Sequence, residues 1–201
     1  MASSKREQLV DTALRLFYRD GFHATGIDTI LREAGVAKMT LYHHFASKDE
    51  LILAALQLRD QRLRHWLTTH VTAAATTPRA QLLAIFDAAQ TLFQQEDFNG
   101  CAFVRACGEF RDPDDPIHQA GMQHVRLLTE FMTELAHHAG APDPEALAKQ
   151  LALLFVGASA AAQVTCSCGP AHCARCAAET LIDAALAAAP HSGASRSSTS
   201  N

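Results

Sequence analysis

The stretch GIDTILREAGVAKMTLYHHFASKDEL, residues 26–51, constrains this chain more than any other feature. It reads as two short helices around a tight turn, followed at once by the start of a third. Ile27, Ile30, Leu31 and Ala34 recur at i, i+3, i+4 and i+7, the spacing that gathers apolar side chains on one helical face. Gly35 follows where a chain leaving a helix needs positive φ, which glycine adopts without a steric penalty. Val36 is the apolar residue of the turn. A second helix is predicted from Lys38 to Phe45, with Leu41 and Phe45 inward and Lys38, Met39, Thr40, Tyr42, His43 and His44 outward. A cation, a hydroxyl, a phenol and imidazoles on one exposed helix suit a DNA groove, because they bond phosphate oxygens and base edges. Ser47-Lys48-Asp49-Glu50 is a capping box that opens a long helix running toward Trp66 or His70.

The remaining segments are helical by pattern. Ser4-Lys5-Arg6-Glu7 is another capping box, and Leu9, Val10, Ala13, Leu14 and Phe17 give the helix behind it one apolar face that ends at Gly21. Further helices are predicted from Thr77-Pro78 through Phe93, from about Cys101 to Phe110, from about Ile117 to Ala139, over 145–164 and over 171–189. Breaks at Asn99-Gly100, Asp112–Pro116 and Gly140–Pro144 separate them. The chain is 48% hydrophobic, poor in aromatics and rich in alanine, which favours an all-α fold with ample core. No continuous apolar run reaches the roughly 20 residues of a membrane span, and MASSKREQ is no signal peptide. The expectation is a cytoplasmic protein without membrane contact, its thiols kept reduced. Charge is uneven: residues 1–64 carry 10 Lys+Arg and 8 Asp+Glu, whereas residues 65–201 carry 7 and 13. A basic head on an acidic body suits binding of a polyanion by the head alone.

The run TGIDTILREAGVAKMTLYHHFASKDEL resembles the DNA-binding signature of the TetR/AcrR family of bacterial regulators. Thr25-Gly26-Ile27, Ala34-Gly35-Val36, Thr40-Leu41-Tyr42, His44-Phe45 and Lys48–Leu51 carry the likeness, with Leu16-Phe17 and Gly21-Phe22 upstream. Ala37 departs from it, because the family usually has a serine N-cap there. The resemblance implies a three-helix DNA-binding head at residues 1–46, a ligand-sensing and dimerisation body at 47–189, and a serine-rich tail at 190–201, expected to be disordered. It implies Thr25, Tyr42 and Lys48 on phosphates, with Lys38, Met39, Thr40 and His43 toward base edges. The implied partners are double-stranded operator DNA, a second copy of the chain paired through the last two helices, and a small inducer or metal ion. The implied function is that of a homodimeric repressor released from its operator by that inducer, and not of an enzyme.

The family likeness does not cover Thr165–Cys176, where four of the six cysteines fall within eleven positions. Cys166 and Cys168 form C-x-C, and Cys173 and Cys176 form C-x-x-C, with His172 beside them. Four such thiolates could enclose zinc, while two or three suit Cu(I) or another thiophilic ion. Four readings stand side by side: a soft-metal sensor, a thiol switch, a structural zinc staple in a sensor of an organic ligand, and incidental cysteines. Cys101 and Cys107 read first as core residues, with a place in the cluster if the fold brings them there, and His118 and His124 share that condition. Phe86, Phe93, Phe98, Phe103, Phe131 and Phe155 could line a ligand cavity. A zinc- or thiol-dependent enzyme built on Cys173 and Cys176 is the rival of another class. No H-E-x-x-H, nucleophile elbow or βαβ pattern accompanies it.

Overall fold

The computed structural model describes residues 4–188. The tail expected at 190–201 lies outside them. Among the described residues the chain is all helix: α1 Lys5–Asp20, α2 Ile27–Ala34, α3 Lys38–His44, α4 Lys48–Ala74, α5 Pro78–Phe93, α6 Ala102–Glu109, α7 Pro116–His138, α8 Pro144–Thr165 and α9 Gly169–Ala187.

Local chemistry explains most boundaries. Ser4 accepts from the Glu7 amide while the Glu7 carboxylate accepts from the Ser4 amide at 2.8 Å, closing the first capping box. The Ser47, Thr77, Asp115 and Asp143 side chains likewise cap α4, α5, α7 and α8. Gly35, at φ 61°, ends α2 in the left-handed region. The long helix α4 runs past the expected Trp66 or His70, because no breaker intervenes before Ala75 and the Thr77-Pro78 start of α5.

Two apolar clusters organise the molecule. The body cluster joins the second half of α4 to α5, α7, α8 and α9 through residues such as Val71, Phe86, Met132, Leu151 and Ile182. The head cluster joins α1, α2 and α3 to Leu51, Ile52, Ala55 and Leu56 of α4. It also contains Ala102, Phe103, Ala106 and Ile117. Helix α6 therefore packs as part of the head's core, although the sequence assigned it to the body. Phe103 is the large side chain that α6 buries there, and burial of a side chain that size stabilises by about 1.5–3 kcal/mol.

Glu145 and Lys149 interrupt the apolar run of α8, yet by length and mean composition alone this helix is long and apolar enough to cross a membrane. The reason is double use of its surface: Leu147, Leu151 and Phe155 face the body core, while Leu153 and Val164 are exposed on the other side.

Candidate nucleic-acid interface and the joint behind it

Helix α3 stands on the head with Leu41 and the following Phe45 buried and its other side open. Met39 is 80% and Tyr42 46% exposed, and Lys38 and His43 are exposed beside them. Thr40 is half-buried. Lys38 Nζ lies 3.9 Å from Asp28, both largely solvated, so this pair holds the lysine only loosely. The N-cap Ala37 has extended φ and ψ of −70° and 149°, yet no side chain closes the cap.

Two residues expected on phosphates sit differently. Thr25 is 3% exposed, and its hydroxyl donates to the Gly21 carbonyl at 2.6 Å. That side chain is a strut of the α1–α2 loop, and the expected phosphate contact from its hydroxyl does not fit this geometry. Residue type suggested a donor, but sequence does not disclose that packing had already engaged it. Lys48, half-buried at the start of α4, donates to the His23 carbonyl at 3.2 Å. Burial pushes its ammonium below the usual value, against the opposing pull of Asp49 and Glu109. It keeps two further N–H donors directed away from that single bond.

Behind the head, α6 forms a joint that sequence did not reveal. At its C-terminal end, Glu109 accepts from the Phe22 and His23 amides at 3.1 and 2.7 Å. The His23 ring stacks against Phe110 at 4.6 Å. Near its N-terminal end, the Tyr18 hydroxyl donates to the Gly100 carbonyl and accepts from the Asn99 amide. Arg105 donates to the Tyr18 carbonyl at 2.9 Å. Both ends of α6 thus hold the head by the backbone of α1 and its loop. Gly21 allows the first contact: its φ is 95°, and a Cβ there would stand 3.0 Å from the Glu109 carboxylate.

Inside the joint, Asp60 of α4, Cys101 before α6 and His124 of α7 meet. His124 Nδ1 lies 2.7 Å from Asp60 Oδ1, and Arg64 Nε donates to Asp60 Oδ2 at 2.7 Å. The His124 ring lies flat on Phe103, centroids 3.8 Å apart. Burial alone would depress the His124 pKa, but the bonds to Asp60 and to the Cys101 thiol outweigh it and raise it. Burial alone would raise the Cys101 thiol, yet His124 and the amides of Val104 and Phe103 bring it below the ordinary value. A narrow cavity of about 30 Å³ adjoins these residues, with Phe98, Leu128 and Phe155 among its walls. Of the six phenylalanines that could line a ligand space, Phe98, Phe103 and Phe155 border this one, Phe86 and Phe93 fill the core, and Phe131 packs against it. The larger hollow, about 840 Å³, is an open cleft between α1, α4 and the loop at Glu96–Asn99, outside the body core.

The cysteines at 166–176 do not gather into a cage. Cys166 is exposed at φ 48° after α8, and Cys168 is half-buried near Gln94. Cys173 and Cys176 are exposed on α9, and Cys176 Sγ lies 3.8 Å from His172 Nε2. Among the described residues no three His, Cys, Asp or Glu side chains are grouped to hold a metal ion. The sequence placed four thiols close together, but the turn at Ser167 directs the first pair and the helix surface directs the second. Cys107 on α6 and Cys101 just before it do not join them.

Comparison with known proteins completes the description. Residues 9–55 match the family model for bacterial regulatory proteins of the TetR family. The structure superposes on SCO4454, a TetR-family regulator from Streptomyces coelicolor, with TM-score 0.84 and 32% identity, covering 90% of this chain and 96% of that one. The regulator YjdC of Escherichia coli is 26% identical over 153 residues, 76% of this chain and 80% of YjdC. The transcriptional activator FasR of Mycolicibacterium smegmatis is 32% identical over 157 residues, 76% of this chain and 66% of FasR. With a helix-turn-helix head, an all-helical body and these likenesses over nearly the whole described length, the chain belongs to the TetR family of DNA-binding transcriptional regulators.

Proposed function

We propose that the chain is a homodimeric repressor that holds a duplex operator until an inducer reaches the body. The observation that carries this is the open face of α3, where Lys38, Met39, Tyr42 and His43 stand clear of the head that supports them. We assign the head to residues 1–46 and the body to 47–189, with α6 as the connection between them. Lys38, Met39, Thr40 and His43 are assigned to base edges and thymine methyls, and Tyr42 and Lys48 to phosphates. Thr25 acts by holding the α1–α2 loop. Dimerisation through α8 and α9 is supported by the exposed Leu153 and Val164 and by a shallow apolar groove that includes Gly157, Ala161 and Ala177. Two such heads would meet major grooves about 34–36 Å apart.

For the signal, two readings remain. The first is a small organic ligand taken up by the body, as is typical of the family. The segment Cys166–Cys176 offers a soft metal ion or a thiol-reactive species three exposed thiols, and Cys173 borders the apolar groove. The experiment is fluorescence anisotropy with duplexes tiled across the DNA flanking the chain's own gene, titrated at several salt concentrations. The expected result is one tight, salt-sensitive site. Lys48→Ala should lower the slope of log K against log salt by about 0.9 per protomer. An unchanged slope removes Lys48 from the phosphates, and equal affinity for all duplexes removes the operator reading. In-vitro transcription on the bound fragment gives the sign: repression is expected, and stimulation overturns it.

A further inference from the structure

We propose that Cys101, together with His124 and Asp60, is a regulatory nucleophile that reacts with a small hydroperoxide and passes the change to the head through α6. Three helices contribute to this arrangement. Asp60 engages His124 Nδ1, so only Nε2 remains for the thiol. His124 is 6% exposed and fixed on both faces of its role, by Asp60 at one nitrogen and by Phe103 across the ring. His124 borders the same cavity as Cys101 and favours the thiolate, which is the reacting form of cysteine. The charged and titratable groups around it are Tyr18 from α1, Asp60, Arg59 and Arg64 from α4, His124 from α7 and Cys107 from α6. DNA contact uses none of Cys101, His124 and Asp60.

The cavity sets the reactant. About 30 Å³ admits a water-sized molecule and little more. A peroxide fits this description, whereas a ring or a long chain does not. In the step, the Cys101 thiolate attacks one peroxide oxygen. An S–O bond forms and the O–O bond breaks. Sulfur loses two electrons and becomes the sulfenic acid, and the peroxide is reduced. The leaving hydroxide takes the proton from the His124 imidazolium and departs as water.

The consequence follows from the packing. The new oxygen occupies the cavity beside Phe103 and the first turn of α6. On its other side α7 approaches that turn closely: a Cβ at Gly121 would stand 3.0 Å from the Phe103 carbonyl. Displacement therefore runs along α6 to Glu109, which holds the Phe22 and His23 amides.

The test uses the full chain. Dilute hydrogen peroxide is followed by dimedone, a trap for sulfenic acid, and the tryptic peptides are read by mass spectrometry. Arg105 separates Cys101 from Cys107, so their peptides are distinct. The expected result is dimedone on Cys101 ahead of the exposed Cys166, Cys173 and Cys176, slowed about tenfold in His124→Gln. Faster labelling of the loop thiols, or no effect of His124→Gln, overturns the proposal. Should that variant misfold, the wild-type rate of Cys101 modification against pH decides, because its midpoint must lie below the ordinary thiol value of 9.0. Transmission to the head rests on the operator reading above. On the same duplex, peroxide should release the wild type and spare Cys101→Ser. Release of both, or of neither, removes the switch. If the untreated protein binds no duplex, the operator reading fails instead, while the labelling order still judges the nucleophile.

Discussion

Ala37→Ser should firm the attachment of α3. The backbone at residue 37 already has the extended geometry of an N-cap, so a serine needs no rearrangement to use it. Ala37 is exposed, so its methyl contributes little burial to lose. The Thr40 and Leu41 amides already bond the Ala37 carbonyl at 2.9 and 3.3 Å. The gain is therefore one side-chain bond to the first turn of a seven-residue helix, about 1 kcal/mol within the 0.5–2 range for caps. In a domain of this length that raises Tm by about 2–4 °C. DNA affinity gains only to the extent that α3 frays in the free protein, from nothing up to about fivefold per head. Differential scanning calorimetry and urea unfolding, followed by anisotropy on the same duplex, measure all three quantities. A Tm that stays or falls would refute the reasoning, because it would mean that the first-turn amides already have acceptors as good as a serine oxygen.

Gly21→Ala should destabilise by about 1–3 kcal/mol, since φ 95° with ψ 163° is a region other residues avoid and the new Cβ presses on Glu109; wild-type stability in urea unfolding would contradict the joint. Gly121→Ala should cost about 1–3 kcal/mol by forcing α6 from α7, and an unchanged or higher Tm would show that this contact has room to give. The Asp60–His124 pair gives a pH signature. His124, raised, contributes fully below its unfolded value of 6.5 and loses that contribution as pH climbs through its folded value. Asp60, which burial alone would raise, is lowered by the combined pull of His124 and Arg64; it contributes fully above its unfolded 3.8 and loses that contribution at lower pH. Asp60→Asn should therefore destabilise most between pH 3.8 and 6.5, by about 1.5–3 kcal/mol, and less at pH 8. A difference that grows toward pH 8 contradicts the assignment.

The sequence disclosed what local rules control. Helix α2 begins and ends where its apolar spacing and Gly35 place it, and the missing cap at Ala37 is visible in both. Proline and Asp caps likewise located α7 and α8 to within a residue or two. What depends on tertiary packing was hidden. Thr25 looks like a donor for DNA until its hydroxyl is found inside the head. Asp60, Cys101 and His124 are scattered along the chain, and only the crossing of α4, α6 and α7 unites them. The cysteines at 166–176 show the converse, neighbours in sequence that the fold does not gather into a metal-holding group.

The insertion of α6 into the head's core bears on how such regulators can be rebuilt. Exchange of heads between relatives is a natural way to couple one sensor to another promoter, and residue 46 is the obvious place to cut. A head transplanted at that point would leave Leu51, Ile52, Ala55 and Leu56 behind, and with them the wall of Ala102, Phe103 and Ala106. It would also leave Phe22 and His23 without the Glu109 carboxylate. A working chimera must carry the first half of α4 and match α6 to its new neighbour, so the exchangeable unit is discontinuous in sequence.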